Sequence, residues 1–263
     1  MQLQIFQVDA FTSKQFGGNP AAVVPLAEWL PDATMQNIAA ENNLAETAFF
    51  VKNGDRYDIR WFTPKVEINL CGHATLASGY VIFNCIKTED GAIKFHSHLS
   101  GSLGIERQNG LIVLDFPAYP VKEIETLPDF AAAEVPPLKS WETQGNMLMM
   151  RLRSQQDVEN IVLMPDMNRL EEMPYDMIII TAKGDDCDFA SRMFAPKLGI
   201  PEDPVTGAIH CSLIPYWANE LGKDKLFARQ VSQRGGELFC EFAGERVKIG
   251  GNATLYLKGE IFV

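Results

Sequence analysis

Arg192-Met-Phe-Ala-Pro-Lys-Leu-Gly-Ile-Pro-Glu-Asp203-Pro-Val-Thr-Gly-Ala208-Ile-His-Cys211 reads as a strand, a proline-flanked turn and the start of a helix. Aspartate before proline predicts the helix start itself, because the carboxylate caps free amides and proline at the first helical position sacrifices no hydrogen bond. The residues that follow, Ala208 to Ala218, are apolar nearly all round, the composition of a buried helix. The start of such a helix presents unpaired N–H groups and the positive end of its dipole to the interior, where a carboxylate or developing anion can bind. Read alone, the stretch is first of all an ordinary capped core helix.

A second stretch changes that reading. Arg60-Trp-Phe-Thr-Pro-Lys-Val-Glu-Ile-Asn-Leu-Cys71-Gly-His73-Ala aligns with the first without a gap at an offset of 132 residues, about half the chain. Arg60 meets Arg192, Phe62 meets Phe194, Pro64 meets Pro196, Lys65 meets Lys197, Ile68 meets Ile200 and Cys71 meets Asp203. Both copies then enter a helix of small and apolar residues, so the chain reads as two copies of one supersecondary plan. Two similar domains follow, residues 1–118 and 119–263, the first completed by a C-terminal strand near 253–263. Their helix starts are expected at a shared cleft, the commonest setting for a small-molecule site.

Around these stretches the alternation of apolar residues predicts strands at 3–11, after Gly17-Gly18-Asn19-Pro20, at 46–51, 92–99, 110–117, 146–153 and 178–182, and again from Phe227 to the end. Helices are expected from a capped start at Pro31-Asp32 to Asn42-Asn43 and around Met164 to Glu172. Residues 117–145, rich in Pro, Ala and Glu, read as a connection carrying a short helix. Many strands around two buried helices make the fold class α+β rather than doubly wound.

Composition narrows the function. A net charge of −11 argues against nucleic acid or an anionic membrane as partner, and an anionic substrate would need local amides and arginines. Five cysteines, at 71, 85, 187, 211 and 240, show neither disulfide arithmetic nor zinc spacing and read as reduced thiols of a cytoplasmic protein. His96 and His98 share a strand face without a third ligand at matching spacing, which sets aside a metal there. No glycine pair lies in the strand–GxGxxG–helix context of a dinucleotide site, so neither cofactor nor metal is expected.

Phe16-Gly-Gly-Asn19-Pro-Ala-Ala-Val, Asn43-Leu-Ala-Glu46-Thr-Ala-Phe, Arg60-Trp-Phe-Thr-Pro, Cys71-Gly-His73-Ala-Thr-Leu-Ala, Arg192-x-Phe-Ala-Pro and Gly199-Ile-Pro-Glu-Asp203-Pro-Val-Thr-Gly together resemble the phenazine-biosynthesis PhzF-like isomerase family, in register along the whole chain. The resemblance implies a diaminopimelate epimerase-like fold: two similar domains, each a β-barrel-like sheet around a central helix. It also implies proton shuttling without a cofactor. In the phenazine enzyme a glutamate moves a proton within trans-2,3-dihydro-3-hydroxyanthranilate, helped by a histidine, an aspartate and a serine. Carried over, these are Glu46, His73 and Asp203, whereas the serine position is Ala208, which removes a hydroxyl donor and points away from the phenazine substrate.

The chemistry agrees with that assignment. Proton abstraction beside a carbonyl or from a conjugated ring needs a positioned base, and Glu46 before the apolar Thr47-Ala48-Phe49-Phe50 run is the candidate. The developing anion needs fixed donors, supplied by His73 and by the amides that open the two helices. Asn19, Gly72, Ala74, Gly207 and Ala208 are therefore the candidate substrate-binding positions. Asp203 serves either as a catalytic group or as a structural cap. The epimerase cousins place a cysteine base at each helix start, and here only Cys71 does so, which leaves amino-acid or hydroxy-acid epimerisation as the second enzymatic reading. A non-catalytic small-molecule-binding protein is the third. The expected assembly is a homodimer acting on a small anionic metabolite.

Overall fold

The computed structural model describes residues 1–86, 91–125, 136–161 and 174–263. The chain divides into two units, Met1–Phe116 with Ile249–Val263, and Pro117–Lys248. Residues 249–263, which include the strand near 253–263 assigned to the first domain from the sequence, lie in the first unit.

In the first unit the opening alternation forms β1 (Gln2–Ala10), and the turn through Gly17-Gly18 delivers β2 (Asn19–Leu26). Gly18 has φ +61°, and a Cβ there would lie 2.1 Å from the Ala10 carbonyl oxygen. The close approach that Gly18 permits is therefore to the chain itself. Next come α1 (Asp32–Asn42), β3 (Glu46–Asn53), β4 (Arg56–Phe62), β5 (Glu67–Ile68), α2 (Gly72–Val81) with a π-type turn at Ile82–Ile86, β6 (Ala92–Ser97), β7 (Gly101–Gln108) and β8 (Leu111–Pro117). The start of α1 is not side-chain capped as the sequence suggested; Asp32 instead accepts from Arg60 at 2.8 Å.

The second unit runs β9 (Val121–Ile124), β10 (Lys139–Thr143), β11 (Met147–Arg151), α3 (Gln155–Asn160), β12 (Met177–Lys183), β13 (Phe189–Ala195), β14 (Ile200–Asp203), α4 (His210–Leu221), β15 (Lys225–Gln230), β16 (Gly236–Ala243) and β17 (Arg246–Gly251), before β18 (Ala253–Phe262) returns to the first unit. Residues 117–145 therefore carry two strands where a connection was expected; β9 and β10 pair with each other through Trp141↔Glu123, a pairing hidden by their short, mixed sequences. The expected short helix falls partly, and the helix around Met164 to Glu172 wholly, outside the described residues.

Pairing repeats between the units. In the first, β1–β2 is antiparallel, β2–β3 parallel, β3–β4 antiparallel, β4–β6 parallel and β6–β7 antiparallel. In the second, β10–β11, β11–β12, β12–β13, β13–β15 and β15–β16 run through the same series. Among the described residues, one helix crosses each first parallel link, α1 or α3, and the buried helix, α2 or α4, crosses the second.

Strand alternation explains which helix lies on which face. Ala22, Val24, Leu26 and Phe49 project to one side, where they bury Met35, Ile38 and Ala39 of α1. Leu148, Met150, Ile178 and Ile180 do the same around Val158 of α3. Residues of opposite parity face the buried helix, and each large apolar side chain so enclosed contributes about 1.5–3 kcal/mol. Thus Thr181 accepts from Trp217 Nε1 at 2.9 Å, and Phe189 stacks on Trp217 with centroids 5.7 Å apart. Asn19 and Glu46 belong to the corresponding parity in the first unit.

The two buried helices solve their polar problems differently. In α2, Thr75 donates to the Cys71 carbonyl at 2.5 Å and Ser78 to the Ala74 carbonyl at 2.7 Å, so both buried hydroxyls are satisfied within the helix. Gly79 lets α2 approach β7, because a Cβ there would lie 2.2 Å from Ile105 Cδ1. In α4, Pro215 provides no N–H for the Cys211 carbonyl, and the Tyr119 N–H donates to that carbonyl instead, at 2.8 Å.

Candidate functional site

Each copy of the repeated stretch is built around an arginine fork. Arg60 grips Glu67 through Nε and Nη2, at 2.8 and 2.6 Å, and lies 5.1 Å above the Phe62 ring. Arg192 grips Glu202 at 2.7 and 2.9 Å and lies 4.9 Å above Phe194. It also donates to the carbonyls of Val158, Glu159 and Ile161 at the end of α3. These forks pin the short returns β4–β5 and β13–β14, from which the chain enters the two helix starts.

In the first unit the return leads at once into α2, and the sequence-derived candidates meet there. Parallel pairing sets Glu46 opposite Ala21, two residues beyond Asn19, so both side chains emerge on the α2 side of the sheet. His73, the second residue of α2, lies between them: Nε2 is 3.0 Å from Glu46 Oε2, and Nδ1 is 3.2 Å from Asn19 Nδ2. The Glu46 contact has the length of an ion pair, and Oε2 has no other polar partner among the described residues. Both side chains are buried, 7% exposed for Glu46 and 4% for His73. Gly72 and Ala74 flank His73 in the first turn, which has no side-chain cap from Cys71.

Sequence reasoning left Cys71 as the one cysteine at a helix start and outside the candidate site, yet its Sγ lies 3.4 Å from His73 Nδ1. The signal was present in the Cys-x-His spacing at a helix start. Burial pushes the thiol up to about 11, reinforced by the Glu46 carboxylate. Burial also opposes charge on His73, but Cys71 and Glu46 more than offset it and hold the imidazole well above the ordinary histidine value. Because the thiol stays protonated at neutral pH, Glu46 is the charge that matters there.

The second helix start differs from the reading of the sequence. Asp203 ends β14, and α4 begins seven residues later at His210. Thr206 donates its hydroxyl to the Asp203 carboxylate. Gln230, at the end of β15, ties both ends of the loop by accepting from the Thr206 N–H and donating to the Asp203 carbonyl, each at 2.8 Å. Bonds from His210 to the Gly207 carbonyl and from Cys211 to the Ala208 carbonyl, at 3.1 and 3.2 Å, tighten the turn into a 3₁₀ entry. Gln230 holds the loop from outside its sequence, so local capping rules place the helix too early. Ala208 is half-buried on this turn.

His210 is a residue sequence reasoning passed over. Fully buried, it donates from Nδ1 to the Thr206 carbonyl at 2.8 Å and lies 5.9 Å from the Phe189 ring. Burial lowers its pKa to about 4, against the small raising effect of the Thr206 carbonyl, so it is neutral at pH 7. His96 and His98 form no metal cluster among the described residues; His98 Nε2 is 3.7 Å from Glu67.

Residues 8–259 match the PhzC-PhzF family, described as phenazine biosynthesis-like protein. The chain belongs to this family. An uncharacterized isomerase of Pseudomonas aeruginosa is 48% identical over 262 residues, covering 99% of each chain. The crystal structure of a PhzF family protein from Enterococcus faecalis superposes with a TM-score of 0.95 at 45% identity, over 100% of both chains. A hydroxyproline epimerase from Agrobacterium vitis, at 10% identity, shares the fold with a TM-score of 0.62 over 99% of this chain and 92% of its own. The fold is thus α+β and diaminopimelate epimerase-like, in a family whose relatives include named isomerases. No helix among the described residues is long and apolar enough to cross a membrane.

Proposed function

We propose that the protein is a cofactor-independent isomerase that moves a proton on a small cyclic or aromatic-like carboxylate. The observation that carries this reading is the buried 3.0 Å contact between Glu46 and His73. A carboxylate beside an imidazole held above its usual pKa forms a pair able to take a proton from one position and return it at another. Glu46 is the carrier, and His73 supplies the positive charge and N–H that stabilise the developing anion. Asn19 and the first-turn amides of Gly72 and Ala74 orient the substrate's polar groups. In the second unit, Asp203 and the turn at Gly207 and Ala208 are assigned the corresponding share of substrate binding and proton handling.

The thiol racemase reading is weaker on two counts. The position matching Cys71 in the second copy is Asp203, and burial keeps Cys71 a thiol rather than the thiolate a base must be. A non-catalytic binding protein would have no use for a buried carboxylate–imidazole pair, whose desolvation costs stability.

A thermal-shift screen of small cyclic and aromatic carboxylates, followed by proton exchange of each hit in D₂O, tests the function. Deuterium uptake at a carbon of a bound acid is expected; stabilisation without exchange by every hit would leave the binding-protein reading in its place. The expected cytoplasmic homodimer is checked by light scattering, where a monomeric mass would remove the dimer from the account.

A further inference from the structure

Glu46, Cys71 and His73 bring one thiol, one imidazole and one carboxylate together with ligand atoms within 4.8 Å of one another, all buried. Sγ of Cys71 lies 3.9 Å from His73 Nε2, and Nε2 lies 3.0 Å from Glu46 Oε2. Zinc bonds of about 2.3 Å to sulfur and about 2.0 Å to nitrogen and oxygen, arranged tetrahedrally, set such donors roughly 3.2–3.7 Å apart. Small side-chain shifts therefore suffice to receive an ion. Sulfur, nitrogen and oxygen donors in one set favour a soft or borderline cation over magnesium or calcium. Three protein ligands leave a fourth position for water.

We propose that Glu46, Cys71 and His73 form a binding site for a single soft divalent cation, such as zinc, whose occupancy blocks proton transfer at these same side chains. The metal–sulfur bond forms as the Cys71 S–H bond breaks, and that proton leaves to solvent. His73 binds through the Nε2 lone pair after giving up any proton held there, and keeps its other proton on Nδ1. Nδ1–H is then received by the Asn19 amide, 3.2 Å away, through its oxygen after a half-turn of the amide. Glu46 binds as the carboxylate. With the carrier and the imidazole both ligated, neither moves a proton; this consequence rests on the function proposed above, whereas the binding does not.

Cadmium chloride titrated into the chelator-treated full chain tests the site through the cadmium–thiolate charge-transfer band in the ultraviolet. One equivalent is expected to saturate the band, zinc chloride to abolish it by competition, and Cys71→Ala or Cys71→Ser to remove it. Cys187→Ala, outside the site, is expected to leave it intact, and Asn19→Ala to weaken binding by about 10-fold through loss of the supporting contact. No band at one equivalent, or a band that survives both Cys71 variants, overturns the site. The same zinc addition is then applied to deuterium exchange of a screened acid, where full loss and recovery with chelator are expected. Binding without loss of exchange would overturn the blockade and, with it, the roles given to Glu46 and His73; exchange in a chain that binds no cadmium would overturn the metal site alone.

Discussion

The two buried helices begin with a histidine in the first two positions, and the histidines have opposite characters. His73 lies 3.0 Å from a buried carboxylate and is held well above the ordinary histidine range. His210 has a carbonyl as partner, lies against Phe189, and falls to about 4. Both are almost fully buried, so burial does not decide the difference; a neighbouring charge does. One sheet plan used twice thus supplies one imidazole suited to charge and proton transfer, and another that fixes a loop as a neutral donor.

The largest effect is expected from breaking the charged member. His73→Gln should reduce the exchange rate of a turned-over acid by about 10²–10⁴-fold, the usual worth of a positioned acid–base group. His210→Asn, whose amide reproduces the donor to Thr206, should change it by less than 10-fold. Equal losses in the two variants, measured as deuterium uptake, would erase the distinction.

Acid separates the histidines through stability. The folded pKa of His210 lies below its ordinary value of 6.5, so between pH 6.5 and 4 the unfolded chain binds a proton that the folded chain refuses. Stability contributed by the neutral form is therefore present above pH 6.5 and declines as pH falls toward 4, by about 3 kcal/mol in all. His210→Asn should flatten that part of the stability curve, as followed by urea unfolding at successive pH values. A variant with the wild-type slope would contradict the assignment.

The arginine forks allow a finer comparison. Arg192→Lys loses a bidentate grip and three carbonyl contacts, an expected cost of about 2 kcal/mol, while Arg60→Lys, with no carbonyl contacts of this kind, should cost about 1 kcal/mol. Denaturant midpoints measure both, and the reverse order would show that the capping of α3 carries no weight. Smallest of all, Ala208→Ser should leave stability within about 0.5 kcal/mol, since the position is half-buried, and express itself in which acids bind.

These contrasts also show what was legible in the residues alone. The repeat was visible because Arg60 and Arg192, each lying over a phenylalanine two residues on, do the same local work in both copies. Glu46 and His73 were legible because short motifs surround each of them. The start of α4 was misread because Gln230, far along the chain, holds the loop that local capping rules assign to the helix. Cys71 was undervalued for a different reason: spacing shows that a thiol and an imidazole are near, but their 3.4 Å contact depends on the rotamers that packing selects. His210 carried no sign of its role, since a lone histidine in an apolar run does not announce its hydrogen bond to the Thr206 carbonyl.

The central claim is that Glu46 carries the proton. Deuterium uptake into a bound acid, measured side by side in the wild-type chain and in Glu46→Gln, tests it most directly, because glutamine fills the same space without a basic oxygen. The expected result is uptake reduced by at least about 10²-fold in Glu46→Gln with ligand affinity retained; uptake at the wild-type rate would contradict the account.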